Sequence, residues 1–249
     1  MNQSAIFEKD YEISLFMINM NGRLGIYGLL NIIQDLSSQH GEQQGFGYSK
    51  QIQLNKFWVL VGQKIKMKRW PKWNDKLRFK TWIRPLDGKI VYRDIEFYLG
   101  EELIGECSVS WLLMDGKTRK MAKIEDMPET VTSRSDYKLP FTAEKLKKRS
   151  DHAVVSDRVV RVTDLDINDH VNNTKYTQWV LDTIELKYHK KLFLSEFEIN
   201  FLAESKLDDV IEIMSSEKHP EQVDTQFMGI RKSDGKPVFI SNFQGEFRS

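Results

Sequence analysis

Hydrophobic positions change period several times along the chain, and each change predicts an element. Tyr11–Ile18 alternates as a first strand. Leu29, Ile32, Ile33 and Leu36 then recur at helical spacing, which predicts a helix over Ile26–His40. Gly41–Lys50 is polar and Gly-rich and reads as a loop. A meander follows, with strands at Phe57–Met67, Lys76–Ile83, Ile90–Leu99 and Leu103–Met114. In Lys76–Ile83 the side chains of Leu77, Phe79, Thr81 and Ile83 share one face. Asp87-Gly88 and Asp115-Gly116 supply turns. One helix followed by long strands predicts an α+β arrangement in which the sheet wraps round the helix.

From Lys117 to Val155 the periodicity fades. Pro128, Ser133, Ser135, Pro140 and the basic run Lys145–Arg149 read as a linker with room for one short helix. The pattern then restarts. Arg158–Val162 is a short β-branched strand, Asn173–Leu186 is an amphipathic helix, and strands follow at Leu194–Phe201, Val210–Lys218, Thr225–Lys232 and Pro237–Phe247. Ile65, Met67, Asp75, Leu77 and Phe79 match Ile199, Phe201, Asp209, Ile211 and Ile213 without a gap, at one offset (199 less 65). The chain therefore reads as two copies of one helix-plus-sheet module fused in tandem. The N-terminal module covers 1–125, a linker 126–154 and the C-terminal module 155–249.

Composition narrows the class. With 249 residues, 40% of them hydrophobic and 11% aromatic, a sizeable core forms and disorder is excluded. A net charge of +1 gives no whole-protein case for nucleic acid, so an acidic partner must be met by a local patch. Two basic clusters are candidates: Lys64, Lys66, Lys68, Arg69 and Lys72, and Lys145, Lys147, Lys148 and Arg149. The single cysteine, Cys107, excludes an internal disulfide and points to a reducing compartment. No window approaches 18 consecutive apolar residues, and Met1–Asp10 has no apolar run. A cytoplasmic protein without a signal peptide, plastid transit segment or membrane span is expected.

Between the Arg158–Val162 strand and the second helix lies a turn holding Asp164, Asp166, Asn168, Asp169 and His170. Asn172 or Asn173 is its N-cap. The start of a helix offers unpaired backbone N–H groups and a positive dipole end, where a carbonyl oxygen turning negative is stabilised. Acids and amides before a helix also serve as plain turn and cap residues, so the residues alone leave both readings open. A calcium loop is excluded, because its sixth position is Asp169 rather than Gly and its twelfth is Lys175 rather than Glu. His40, His152, His189 and His219 lack the spacing of a zinc site, and no phosphate loop or nucleophile elbow is present. Cys107 shares a strand face with Val109 and Trp111 and reads as core. The first copy has Asn19–Leu24 in the equivalent place, without carboxylates or His. The halves have thus diverged, one for chemistry and one for binding or support.

The segment Asp164-Leu-Asp-Ile-Asn-Asp-His-Val-Asn-Asn-Thr-Lys-Tyr176 closely resembles the active-site segment of acyl-acyl-carrier-protein thioesterases. Phe57-Trp-Val-Leu, Arg69-Trp-Pro-Lys-Trp-Asn-Asp75, Thr81-Trp82, Arg93-Asp94, Ser110-Trp111 and Lys117-Thr-Arg119 are similar to that family's N-terminal module. The similarity runs from about Tyr11 to Glu204 and more faintly to the end. The resemblance implies a tandem double hotdog, two long helices each wrapped by a curved antiparallel sheet. It implies hydrolysis of fatty acyl-[acyl-carrier-protein] thioesters, releasing free fatty acid and holo-acyl carrier protein. The partner is then acyl carrier protein with its phosphopantetheine-linked chain, no cofactor is needed, and the chain is a monomer (a pseudo-dimer) or a homodimer. By position the family's catalytic residues fall on Asp166, Asn168, His170 and Glu204. Plant members carry a Cys after that Glu; here it is Ser205, so no thiol nucleophile is available there. The resemblance places the acyl chain in the N-terminal module, with Ile26–Leu36, Phe57–Val61 and Trp111 as candidate lining. Asp166 or Glu204 serves as general base, or Asp166 attacks directly to form a mixed anhydride. Asn168 would bind the carbonyl oxygen or hold the water, and His170 would relay the proton or orient a carboxylate. Asp164 and Asp169 are assigned to structure. The alternatives are an acyl-coenzyme A thioesterase and a non-catalytic sensor of acyl thioesters.

Overall fold

The computed structural model describes residues 4–124, 131–216 and 223–248. In the first half β1 (Ile6–Glu12) precedes α1 (Ile26–Gln43), α2 (Tyr48–Leu54), β2 (Lys56–Met67), β3 (Lys76–Ile83), β4 (Ile90–Leu99) and β5 (Glu102–Asp115). The second half repeats the order with β6 (Ala153–Val159), α3 (Asn173–Leu181), α4 (Leu186–His189), β7 (Leu192–Phe201), β8 (Val210–Ser215), β9 (Val223–Arg231) and β10 (Pro237–Phe247). All ten strands join one antiparallel sheet in the order β1-β3-β4-β5-β2-β7-β10-β9-β8-β6. That order is a palindrome: β6 to β10 take the places of β1 to β5. The result is the tandem double hotdog, with α1 and α3 each wrapped by five strands.

The seam shows where the two copies meet. β2 pairs β7 with Lys64 opposite Glu198. These two residues are the same module position, since they stand apart by the offset of the repeat, so the pseudo-twofold axis passes between them. In a symmetric dimer one residue would face its own copy, and a like-charged pair there would repel. In the fused chain Lys64 Nζ lies 3.0 Å from Glu198 Oε2 and 2.7 Å from Glu196 Oε1. Fusion lets the two halves differ at their closest point.

Alternation along the strands sets the layers. Phe197 and Ile199 of β7, with Ile95 and Phe97 of β4, face the helices and are buried with Leu29 and Leu36 of α1. Burying such a side chain contributes about 1.5–3 kcal/mol each. The opposite face carries Asp94, Glu198, Asn200 and Gln226, which are also buried. The linker covers them. Asp94 accepts a two-pronged ion pair from Arg84 (2.7 and 2.8 Å) and a bond from the Leu139 N–H. Glu198 accepts from the Glu144 N–H, Asn200 from Leu146, and Gln226 from Arg149. Residues 131–152 therefore form no helix; their backbone groups are satisfied by strand side chains instead.

Other boundaries differ from the sequence reading for identifiable reasons. The first strand lies at Ile6–Glu12 rather than Tyr11–Ile18, because a short 3-10 turn at Leu15–Met17 breaks it. The expected loop Gly41–Lys50 is shortened by α1 running on to Gln43 and by α2. The Arg158–Val162 strand lies earlier, at Ala153–Val159, and a 3-10 turn at Val162–Asp164 follows. The second helix ends at Leu181 rather than Leu186; Thr183 Oγ1 bonds the Val180 carbonyl at 2.7 Å and closes the turn. β8 ends at Ser215, and the end expected for it at Lys218 lies outside the described residues. Among the described residues no helix is long and apolar enough to cross a membrane.

Candidate active site

The sequence Asp166-Ile-Asn-Asp-His170 forms a tight hairpin closed by a bridge between Leu165 and Val171. The Asp166 N–H donates to the His170 carbonyl at 2.8 Å, and the Asp169 N–H to the Asp166 carbonyl at 3.2 Å. Asp169 takes φ of 59°, a left-handed conformation that Asp tolerates. Its role is the turn itself. Asp166 Oδ1 accepts the Asn168 N–H at 2.8 Å, so one carboxylate oxygen shapes the turn, while Oδ2 has no hydrogen-bond partner among the described residues.

Asp164 is structural, as expected. It is 2% exposed; its Oδ2 accepts the Arg161 N–H at 2.9 Å, and its carbonyl accepts the Asn172 N–H at 2.9 Å. Asn172 is the cap of α3: its Oδ1 accepts the Thr174 N–H at 3.0 Å and the Thr174 hydroxyl at 2.9 Å. The Thr174 N–H is thereby spent and leaves the expected set of donors for a reacting carbonyl. Among the described residues nothing accepts from the Asn173 N–H, which remains as the candidate donor at this helix start.

The turn meets the loop after β7 through the Val171 N–H, which donates to the Ser205 carbonyl at 3.0 Å. That bond sets Glu204 beside His170. Glu204 Oε2 lies 3.3 Å from His170 Nε2. Three of the four residues singled out thus share one hairpin, and the fourth reaches it from 34 positions away. Asn168 is the outlier: its side chain is exposed and takes part in no bond among the described residues.

One residue at the site is not evident from the sequence. Arg119 Nη2 lies 2.5 Å from the same Glu204 Oε2. It comes from the N-terminal module, on the turn that closes β5. Asp115 Oδ1 shapes that turn by accepting the Lys117 and Thr118 N–H groups, and Arg119 adopts φ of 55°. Its guanidinium also lies 5.0 Å from the Phe57 ring centre. Arg231 fixes the backbone below, donating to the Glu204 carbonyl at 2.6 Å. Arg119 stands in Lys117-Thr-Arg119, but only the folded contact shows what it touches. Cys107 is fully buried, and burial pushes its thiol up, so it is core and not a nucleophile. Ser205 is fully buried as well.

Comparison with known proteins shows the family. The N-terminal domain model of acyl-ACP thioesterase matches residues 4–131, and its C-terminal domain model matches 147–243. A chloroplastic acyl-[acyl-carrier-protein] hydrolase of Cuphea viscosissima is 27% identical over 225 residues, covering 84% of this chain and 54% of the relative. A chloroplastic oleoyl-acyl carrier protein thioesterase of Coriandrum sativum is 25% identical over 230 residues, covering 84% of this chain and 62% of the relative. The chain thus spans little more than half the length of these curated relatives. Among solved structures, an acyl-ACP thioesterase from Bacteroides thetaiotaomicron superposes with a TM-score of 0.87 at 23% identity, covering 97% of this chain and 98% of that one. A 12:0-ACP thioesterase from Umbellularia californica gives 0.84 at 20% identity, covering 99% of both chains. Both share the fold described above. The two family models between them account for most of the sequence, and the chain belongs to the acyl-ACP thioesterase family.

Proposed function

We propose that the chain hydrolyses fatty acyl-[acyl-carrier-protein] thioesters, releasing free fatty acid and holo-acyl carrier protein and so ending chain elongation. The observation that carries this reading is the contact of His170 Nε2 with Glu204 Oε2 at 3.3 Å, on the hairpin that presents Asp166 beside the start of α3. Water adds to the thioester carbonyl carbon, the C–S bond breaks, and the thiol leaves with a proton. A leaving thiol with a pKa of roughly 8.5 needs little acid help, so the demand falls on the water. Asp166 Oδ2 takes the proton from that water and hands it on to His170, or it attacks the carbonyl first, expels the thiolate and forms a mixed anhydride that water then cleaves to fatty acid and free Asp166. Glu204 orients His170, which passes the proton to the sulfur. The Asn173 N–H and the Asn168 amide bind the oxygen as it becomes negative.

The acyl chain belongs to the N-terminal module (1–125) and the chemistry to the C-terminal module (155–249), joined by 126–154. Pseudo-symmetry supports that division. Leu192 and Leu194 of β7 flank the turn of the first module. By the offset of the repeat, Trp58 and Leu60 of β2 hold the same positions in the first module, within the expected Phe57–Val61 stretch. The contact of Arg119 with both Phe57 and Glu204 agrees with this placement. For the acidic carrier protein, Lys145, Lys147 and Lys148 form the better patch. No described carboxylate pairs with them, whereas Lys64, Lys66 and Arg69 are tied up with Glu196, Glu198 and Glu102. Both modules lie in one chain, so hydrolysis needs no second copy. A cytoplasmic location is part of the proposal.

The test offers the same dodecanoyl group on acyl carrier protein and on coenzyme A, with wild type and Glu204→Gln. A higher kcat/KM for the carrier protein, lost in the variant, supports the reading. Equal or greater use of coenzyme A would move the assignment to an acyl-coenzyme A thioesterase, and tight binding without turnover to a sensor.

A further inference from the structure

The turn that opens the N-terminal helix is a bond-for-bond copy of the catalytic hairpin. An Ile18–Leu24 bridge matches Leu165–Val171. The Asn19 N–H donates to the Arg23 carbonyl as Asp166 does to His170, both at 2.8 Å. Asn19 Oδ1 accepts the Asn21 N–H at 2.9 Å, as Asp166 Oδ1 accepts from Asn168. Gly22, at φ of 68°, stands for Asp169. The Leu24 N–H donates to the Pro71 carbonyl where Val171 donates to Ser205. The chemical groups differ. Asn19 replaces Asp166, Asn21 replaces Asn168, Arg23 replaces His170 and Trp70 replaces Glu204. No carboxylate remains to activate water.

The cavity at this place persists, with a volume of about 230 Å³. Met17, Leu24 and Trp70 line it from one module, and Leu181, Leu192 and Leu194 from the other. Phe16 and Met20 stand at its rim, 84% and 59% exposed. Arg23 also lines it, and no described carboxylate pairs with its guanidinium, whose neighbour is the Phe193 ring at 5.9 Å. The first turn of α1 lines it too, and its cap Gly25 has no side chain to spend on the free N–H groups. An unpaired cation and open amides beside an apolar hollow fit an amphiphile with an apolar chain and a terminal oxyanion. At one water volume per methylene the hollow takes a carboxylate and roughly six to eight methylenes.

We propose that this degenerate copy of the active site is a non-hydrolytic binding site for a fatty carboxylate, held by Arg23 at the mouth of the Trp70-lined cavity. That the carboxylate is the enzyme's own product rests on the thioesterase reading; the binding does not. Equilibrium dialysis of labelled octanoate, whose chain matches that volume, against the full chain tests it, with wild type, Arg23→Met and Met20→Glu. The last places a negative charge on an exposed rim residue and leaves the core untouched.

One equivalent of octanoate is expected to bind, with an affinity that falls at least tenfold in both variants. Neither octan-1-ol nor phosphopantetheine displaces it, and initial rates of thioester hydrolysis are unchanged. Binding that is the same in all three proteins overturns the proposal, as does displacement by phosphopantetheine, which would make the cavity a second arm site. Failure of the thioesterase reading has a different signature: no thiol release from any protein, with the Arg23-dependent binding intact.

Discussion

Removing Arg119 isolates what one residue of the N-terminal module contributes to a site in the other. Glu204 Oε2 has two partners, Arg119 at 2.5 Å and His170 at 3.3 Å. Without Arg119 the backbone stays in place, because Arg231 still holds the Glu204 carbonyl and Val171 still holds Ser205. What is lost is the fixing of the Glu204 side chain. The rotamer freedom of a Glu is worth up to about 2 kcal/mol, and re-imposing that order at each turnover slows it by roughly 10–30-fold. The pair itself is half exposed, so its removal lowers stability by no more than about 1 kcal/mol. Arg119→Met should therefore lower kcat 10–30-fold with KM nearly constant and a small change in Tm, and Arg119→Lys should recover part of the rate. Steady-state kinetics on one acyl-carrier-protein substrate reads this directly. A kcat within twofold of wild type refutes the positioning role, and a change in KM alone would make Arg119 a binding residue.

Three further outcomes test the fold around the site. His40 is fully buried; burial and the Arg93 guanidinium, 2.6 Å away, bring its pKa down to about 3. The unfolded chain takes up that proton below about pH 6.5 and the folded one does not, so stability is intact above 6.5 and falls as pH drops towards 3. The loss is about 2 kcal/mol by pH 5, and His40→Asn should flatten the pH slope of urea unfolding by that amount. Asp164→Ala orphans the Arg161 N–H and should cost about 1–3 kcal/mol in denaturant while turnover per folded molecule stays near wild type, since Asp164 is buried and spends its carboxylate on the turn. Gly229→Ala would drive a Cβ into the buried Phe239 ring, and a lower Tm by about 1–3 kcal/mol of stability is expected in calorimetry.

The meander was legible because one face of each strand is apolar: Lys76–Ile83, Ile90–Leu99 and Pro237–Phe247 have the bounds that their alternation predicts. The tandem repeat was legible for the same reason, and its offset reappears in the palindromic sheet. The linker's path was not. Asp94, Glu198, Asn200 and Gln226 sit where a solvent-facing polar residue would, and only the fold shows that another segment covers them. α2 was hidden because it is short and carries no buried residue to set a period. At the site, the hairpin was readable as a cluster in sequence, whereas Glu204 needed the family resemblance and the role of Arg119 needed the structure. A contact made across 85 residues leaves no local pattern.

The most direct measurement is free-thiol release from acyl-carrier-protein thioesters of graded chain length, comparing wild type with Asp166→Ala. Release by the wild type and a loss of several powers of ten in the variant are expected, with unchanged circular dichroism. A variant within tenfold of wild type would remove Asp166 from the chemistry, and a wild type that binds acyl thioesters but releases no thiol from any carrier would contradict the hydrolase itself.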